Sequence, residues 1–351
     1  MNHLKFLDVS GVGNSGKSAL VDLLREIDGL YVPHFQFEFD FLRVRGGLID
    51  LRHALVEDWS PVRSHAAFKA FVDVTKRMGT NPRSCLDMSA WLVSTSQRYD
   101  RHFNGRFTEL THKFAEKFII GKYASEWPYD DLNTFSIEVF LRKILRRIGF
   151  RKNLLREVLL LDGSNFDEYA NQLVTELFET IKPPSCQTIV LNNGFEPFNP
   201  EPFLKMINGS KQIVVTRDPR DVYVSGLNSH AVAKTDKALL AADNDGLNKS
   251  FLAADDVELF IKRFKLFNRN VFLEKRPEIL HISFEKLVSS YEATTAQLFD
   301  FLEVSPNLHI KKCEYFDPNK SKRNVRLWEM FSDQKTIRQI ESELGAYIVN
   351  T

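Results

Sequence analysis

The sequence predicts an α/β fold, a parallel sheet flanked by helices with a helical insertion inside it. Short apolar runs of strand character recur at 4–10, 158–161, 188–191, 213–216 and 279–283, with helical segments between them. Strands that alternate with helices are joined by crossovers and pair in parallel, covered on both faces. A cluster of three glycines, Gly11, Gly13 and Gly16, stands between the first apolar run and the first helical pattern, in a chain with only 16 glycines. From about 51 to 151 no strand pattern is visible.

The 351 residues suffice for two domains or one large unit with an insertion. The pattern favours one α/β domain over 1–351, with the insertion at about 51–155. The 47 basic and 46 acidic side chains leave a formal net charge of +1. That balance, without a long basic run, excludes the footprint of a dedicated nucleic-acid or anionic-membrane binder, so any anion site is local. Cys85, Cys186 and Cys313 stand far apart in odd number, which predicts free, buried thiols in a reducing compartment. No apolar stretch approaches the ~20 residues of a membrane span, and no signal peptide is visible at the N-terminus. A cytoplasmic location without integral membrane association is the expectation. Nothing reads as a partner surface, which leaves oligomeric state open.

Leu4 to Ser10 reads as a buried strand, and Ala19, Leu20, Leu23, Leu24 and Ile27 follow at helical spacing. A second strand is expected within Tyr31 to Asp40. Arg-rich and Phe-rich helices fill the middle, Phe140 to Ile148 among them. Trp59, Trp91 and Trp127 are core residues or sugar-stacking platforms by type. The polar stretch Ser229 to Ser250 reads as a loop or lid.

Gly11-Val12-Gly13-Asn14-Ser15-Gly16-Lys17-Ser18 satisfies G-x-x-x-x-G-K-[ST] between a strand and a helix. Glycines let backbone N–H groups converge on an anion, the helix N-terminus adds positive potential, and Lys17 supplies a mobile charge. This selects phosphate or sulfate without selecting the nucleotide. In a kinase Ser18 would hold Mg²⁺ with a second carboxylate, for which Asp162 is available. Asp162 before Gly163 is equally what a strand-to-turn junction favours.

Lys211 to Ser225 reads as a strand, a turn carrying Arg217, and a helix opened by Asp218 and Pro219. An arginine at a strand's C-terminal end lies where open α/β sheets bind ligands, and its fork suits a phosphate. An ion pair of Arg217 with Asp218 or Asp221 is the alternative.

The segment Arg217-Asp218-Pro219-Arg220-Asp221, with Ser225 eight residues after the first arginine, closely resembles the 3′-phosphate-binding stretch of the sulfotransferases that use 3′-phosphoadenosine 5′-phosphosulfate (PAPS). Three further segments occur in that family's order. They are the N-terminal glycine loop, His281 to Leu287, and the basic stretch Lys320-Ser321-Lys322-Arg323-Asn324 ahead of a last helix with Ile337, Ile340, Leu344 and Ile348 on one face. The resemblance covers the first ~40 residues and most of the chain after ~165, but not the middle third. It implies PAPS as donor, bound by Gly11, Gly13, Asn14, Ser15, Gly16, Lys17 and Ser18 at one end. Arg217, Ser225 and the 320–324 loop would hold the other end, with no metal required. Family loops carry Lys before the Ser-Gly pair, whereas Lys17 follows it here; the ammonium can still reach the bridging oxygen.

Sulfuryl transfer then needs a base for an acceptor hydroxyl. In the carbohydrate-sulfating branch, which this pattern is nearest to, a Glu after the first helix has that role. His34-Phe35-Gln36-Phe37-Glu38-Phe39-Asp40 occupies the matching place. As a strand it would put Glu38 and Asp40 on one face, two carboxylates raising one another's pKa. Glu38 is the first choice, Asp40 the second and His34 the third; a half-buried strand with a solvated face is the other reading. The acceptor would be a carbohydrate, and a Mg-ATP-dependent small-molecule kinase is the alternative function.

Overall fold

The computed structural model describes residues 4–33, 38–82, 87–95, 97–149, 155–235, 256–271 and 275–349. His34, Phe35, Cys85 and positions 236–250 of the expected lid lie outside the described residues. The start of that stretch, 229–235, is no loop but the last part of the helix Pro219–Thr235. The chain folds into two compact units, one of residues 1–39, 183–204 and 209–351, the other of 40–182 with 205–208. The second unit is wider than the insertion expected at about 51–155.

The first unit holds a five-stranded parallel sheet. Its strands are β1 (Lys5–Gly11), β2 (Leu30–Tyr31), β5 (Thr188–Asn192), β6 (Lys211–Thr216) and β7 (Ile279–Ser283), in the order β2-β5-β1-β6-β7. Parallel register places Asp8 opposite both Leu191 of β5 and Gln212 of β6. The central strands are buried on both faces, which is why they read as continuous apolar runs. Leu7 and Val9 of β1 pack with Leu20, Leu23 and Leu24 of the helix Lys17–Leu24 and with Ile213, Val215 and Ile282. Because β5 and β6 lie on opposite sides of β1, the chain reverses direction across the sheet there, and the crevice at the carboxyl end of β1 is the place such sheets bind ligands. The last helix, Gln334–Leu344, buries Ile337, Ile340 and Leu344; Ile348 lies beyond its end.

The second unit is helical with one two-stranded antiparallel sheet among its described residues, β3 (Ile119–Ser125) against β4 (Arg156–Leu161). This corrects two expectations: the 158–161 run is no member of the parallel sheet, and the middle third does contain a strand. β3 is hard to see in the sequence because Gly121, Lys122, Ala124 and Ser125 dilute its pattern. Much of the chain's phenylalanine serves this unit's core, where Phe114 meets Phe118 edge-on at 4.9 Å and Phe103 meets Phe178 at 5.3 Å. Such aromatic pairs add to their area burial. Trp127 is buried; Trp59 and Trp91 are exposed. Cys186 is buried as expected, but Cys313 is exposed, in a turn with left-handed backbone.

Candidate active site

β1 ends at Gly11, and the backbone turns through Gly16 into the helix Lys17–Leu24. A Cβ on Gly11 would fall 2.5 Å from Ser15 Oγ and 2.6 Å from the Val215 carbonyl. Gly16 has φ +86°, and a Cβ there would lie 2.4 Å from the Phe284 ring. Asn14 is also left-handed, at φ 62°. The loop therefore curls tightly, with Ser15 N–H donating to Val12 O at 3.0 Å. Ser15 Oγ is buried without a hydrogen-bond partner. An orphaned hydroxyl inside a glycine cradle at a helix N-terminus suits an oxyanion. Ser18, one position after Lys17, is exposed.

Lys17 Nζ lies 3.3 Å from Glu38 Oε1. Asn193, left-handed at φ 52° just after β5, donates from Nδ2 to the same oxygen at 2.9 Å. Beneath this turn sits Asp8, fully buried on β1, whose Oδ1 accepts from Gly194 N–H at 2.7 Å. Gln212 Nε2 reaches Ser10 Oγ at 2.8 Å and Asp8 Oδ2 at 3.4 Å. Burial pushes the Asp8 carboxyl up to about 6, against hydrogen bonds from the Phe195 and Gly194 backbone that pull it down. Asn193, Asp8 and Gln212 are not among the residues that the sequence motifs single out. An Asp and a Gln facing each other in central strands is the signal that a polar structure lies under the site.

Among the described residues no strand reaches Glu38 or Asp40: Glu38 and Phe39 are irregular, and Asp40 opens a 3-10 turn, Asp40–Leu42. Asp40 belongs to the second unit and pairs with Arg43 at 2.6 Å. Alternation suggests a strand, but Phe39 and Phe41 are both fully buried, which a period of two permits equally in a turn with two apolar anchors. Glu38 therefore has a cation beside it where a second carboxylate was expected.

Arg217 follows β6 and is 8% exposed. Its Nη1 donates to Asn14 O at 3.0 Å and its Nη2 to Asn324 O at 2.6 Å, so one guanidinium ties the glycine loop to the C-terminal loop. Nε is buried without a partner, and the plane lies over Phe284, 4.9 Å from the ring centroid. Burial holds the Arg217 pKa below the usual guanidinium value, opposed by Asp221, Glu285 and Asp218. The alternative ion pair with Asp218 goes to another residue, since Arg220 takes Asp218 at 2.8 Å, reaches Glu341 at 2.5 Å and lies over Trp328. Asp221 accepts from Arg326 N–H at 2.8 Å and Trp328 N–H at 3.4 Å, and Glu285 from Asp218 N–H at 2.8 Å. Burial raises the pKa of both carboxyls. The acids of this segment thus hold backbone, leaving Arg217 to the site.

Ser225 lies two turns into the helix Pro219–Thr235, half-buried. From the 320–324 stretch it is the Asn324 carbonyl that is brought to Arg217. Lys320, 81% exposed, leans on Asp317 at 3.6 Å, Lys322 and Arg323 are exposed, and Ser321 is half-buried. Asp162 closes a turn in the second unit, accepting from Ser164 N–H and Ser164 Oγ at 3.0 Å each, which is the strand-to-turn role.

The residues present fit a ligand with two anionic ends. Ser15 Oγ, the 11–16 backbone and Lys17 would serve one end, and the orphaned Arg217 Nε, with Ser225 on the helix that follows, would serve the other. A glycine loop that leads from a parallel strand into a helix at the carboxyl edge of the sheet is the arrangement of P-loop-type α/β folds. Residues 199–344, which carry Arg217, Ser225 and Asn324, match the profile described as the sulfotransferase domain. By that match, residues 199–344 of this chain are similar to the sulfotransferase domain. No curated protein matches the sequence. The sulfotransferase domain from the Synechococcus PCC 7002 olefin synthase is similar at 12% identity and TM-score 0.40, over 99% of this chain and 97% of that one. Sulfotransferase STF9 from Mycobacterium avium is similar at 11% and 0.39, over 100% and 78%. Retinol dehydratase in complex with androsterone and the inactive cofactor PAP is similar at 13% and 0.34, over 99% and 81%. Scores this low leave the assignment to the domain match. Among the described residues no helix is long and apolar enough to cross a membrane, and no group of His, Cys, Asp and Glu is assembled to hold a metal.

Proposed function

We propose that the protein transfers the sulfuryl group of PAPS to a hydroxyl of an acceptor, a carbohydrate by the pattern of the segment around Glu38, with Glu38 as base. The observation that carries it is the meeting of Glu38 with Lys17 and Asn193 at the mouth of the glycine loop. PAPS, when bound, supplies an activated sulfuryl group on a phosphate leaving group. Gly11, Gly13, Asn14, Ser15, Gly16 and Ser18 would surround the 5′ end with backbone donors and hydroxyls. Arg217, Ser225 and the Lys320 to Asn324 stretch would hold the 3′-phosphate. Lys17 would neutralise charge on the leaving oxygen, and Glu38 would take the acceptor's proton; positioning and electrostatics supply most of such a rate enhancement. Asp162, the carboxylate of the kinase alternative, accepts from Ser164 in its own turn, which supports the strand-to-turn reading of it.

The test is Glu38→Gln, which keeps an oxygen for Asn193 but cannot accept a proton. Turnover should fall by about 10²–10⁴, while adenosine 3′,5′-bisphosphate still raises the melting temperature. Full turnover in this variant removes Glu38 from the role. Strong stabilisation of the wild type by Mg-ATP, with none by the bisphosphate, removes the donor.

A further inference from the structure

In the second unit the helix Ser136–Arg147 is built inside out. Ile137, Phe140, Leu141, Ile144 and Ile148 recur at the spacing of a single helical stripe. They are 72%, 61%, 53%, 40% and 60% exposed. The charged side holds the helix to its own unit, Arg142 meeting Asp131 at 3.7 Å and Arg146 pairing with Glu126, while Glu138 meets Arg142 within the helix at 3.4 Å. A helix covered only by water would be turned the other way, its apolar stripe on the core. Single exposed apolar residues are ordinary, but a continuous stripe marks a surface that something less polar than water covers.

The rim of the stripe says what that is. Lys143 stands three residues after Phe140 and Arg147 three after Ile144, so both exposed cations flank the same edge. The helix's one acid, Glu138, already meets Arg142. Two copies packed stripe to stripe would bring cationic rims together with no carboxylate to meet them. A surface that is apolar inside and anionic at its boundary satisfies both features. At 12 residues the helix is about 18 Å long, too short to span a bilayer but suited to lying in its interface.

We propose that the Ile137, Phe140, Ile144 stripe with Lys143 and Arg147 docks this protein onto an anionic lipid surface as an interfacial helix. The proposal does not depend on which acceptor is sulfated. The test is co-sedimentation of the full chain with vesicles of phosphatidylcholine and phosphatidylglycerol in equal parts, against phosphatidylcholine alone. The wild type should bind the mixed vesicles and release them as salt rises. Lys143→Ala with Arg147→Ala should weaken binding by about 25-fold, some fivefold for each cation. Phe140→Glu with Ile144→Glu should abolish it while circular dichroism and melting temperature stay as in the wild type, since both side chains face solvent. Absence of wild-type binding overturns the proposal, and so does undiminished binding by the Phe140→Glu, Ile144→Glu variant. A dimer in light scattering that this variant dissolves, without vesicle binding, assigns the stripe to a second copy instead.

Discussion

Asn193 and Lys17 converge on one oxygen of Glu38, at 2.9 and 3.3 Å. Asn193 comes from the turn after β5 and Lys17 from the helix after the glycine loop. A carboxylate tied at one oxygen is held in a fixed direction, which is what a proton acceptor needs.

Removing the tie tests this. Asn193→Ala deletes a hydrogen bond to a charged group, a contribution of about 1.5–3 kcal/mol where it is fully used. If it acts through Glu38, turnover drops by about tenfold or more while the affinity for adenosine 3′,5′-bisphosphate, measured calorimetrically, is unchanged. An equal loss in Kd and kcat would place Asn193 on the donor instead.

Gly16→Ala should disable donor binding. The left-handed backbone costs an alanine about 1–2 kcal/mol, and its Cβ would strike the Phe284 ring. We expect a lower melting temperature and no further rise on adding the bisphosphate. The double variant Gly16→Ala, Phe284→Ala removes the clash but not the strain, so its melting temperature should still fall short of that of Phe284→Ala alone.

Arg217→Lys should behave as a loss, not a conservative change. One ammonium cannot hold both the Asn14 and Asn324 carbonyls and also lie flat on Phe284. Donor affinity should fall by about tenfold to a hundredfold, with limited proteolysis near Arg323 accelerated because the C-terminal loop has lost an anchor. Unchanged cleavage would show that Asp221, through Arg326 and Trp328, holds the loop unaided.

Asp8 makes stability depend on pH. Its folded pKa, about 6, lies above the ordinary 3.8, so the folded state binds the proton more tightly than the unfolded chain does. The stability this contributes is complete below the unfolded value and is lost as pH rises through about 6. The difference corresponds to about 3 kcal/mol. Asp8→Asn keeps an oxygen for Gly194 N–H and cannot ionise. Urea unfolding of wild type and variant at pH 4 and pH 7 should therefore show the variant gaining on the wild type as pH rises. Parallel curves would mean that Asp8 ionises freely.

Much of the site can be read along the chain because its parts are local. The glycine loop needs a strand, tight backbone and a helix start within about fifteen residues, and each leaves a mark in sequence. Arg217 is marked by the strand before it and by Asp218-Pro219 after it. The Glu38 region is harder, because Phe39 and Phe41 are anchors whose spacing imitates a strand. Asn193 leaves no mark, since a left-handed asparagine after a strand is common in turns.

By itself the sequence determined the parallel α/β architecture, the glycine loop and Arg217, all set by short-range periodicity and turn chemistry. Tertiary structure decided which partner each charge found. Arg220, not Arg217, takes Asp218; Lys17 meets Glu38; and Asn324 contributes a carbonyl while Lys322 and Arg323 face water. The longest of those pairings joins Arg217 to Asn324, 107 positions on, and the same guanidinium reaches the Asn14 carbonyl 203 positions back. The order β2-β5-β1-β6-β7 is set by packing, and no local pattern encodes it.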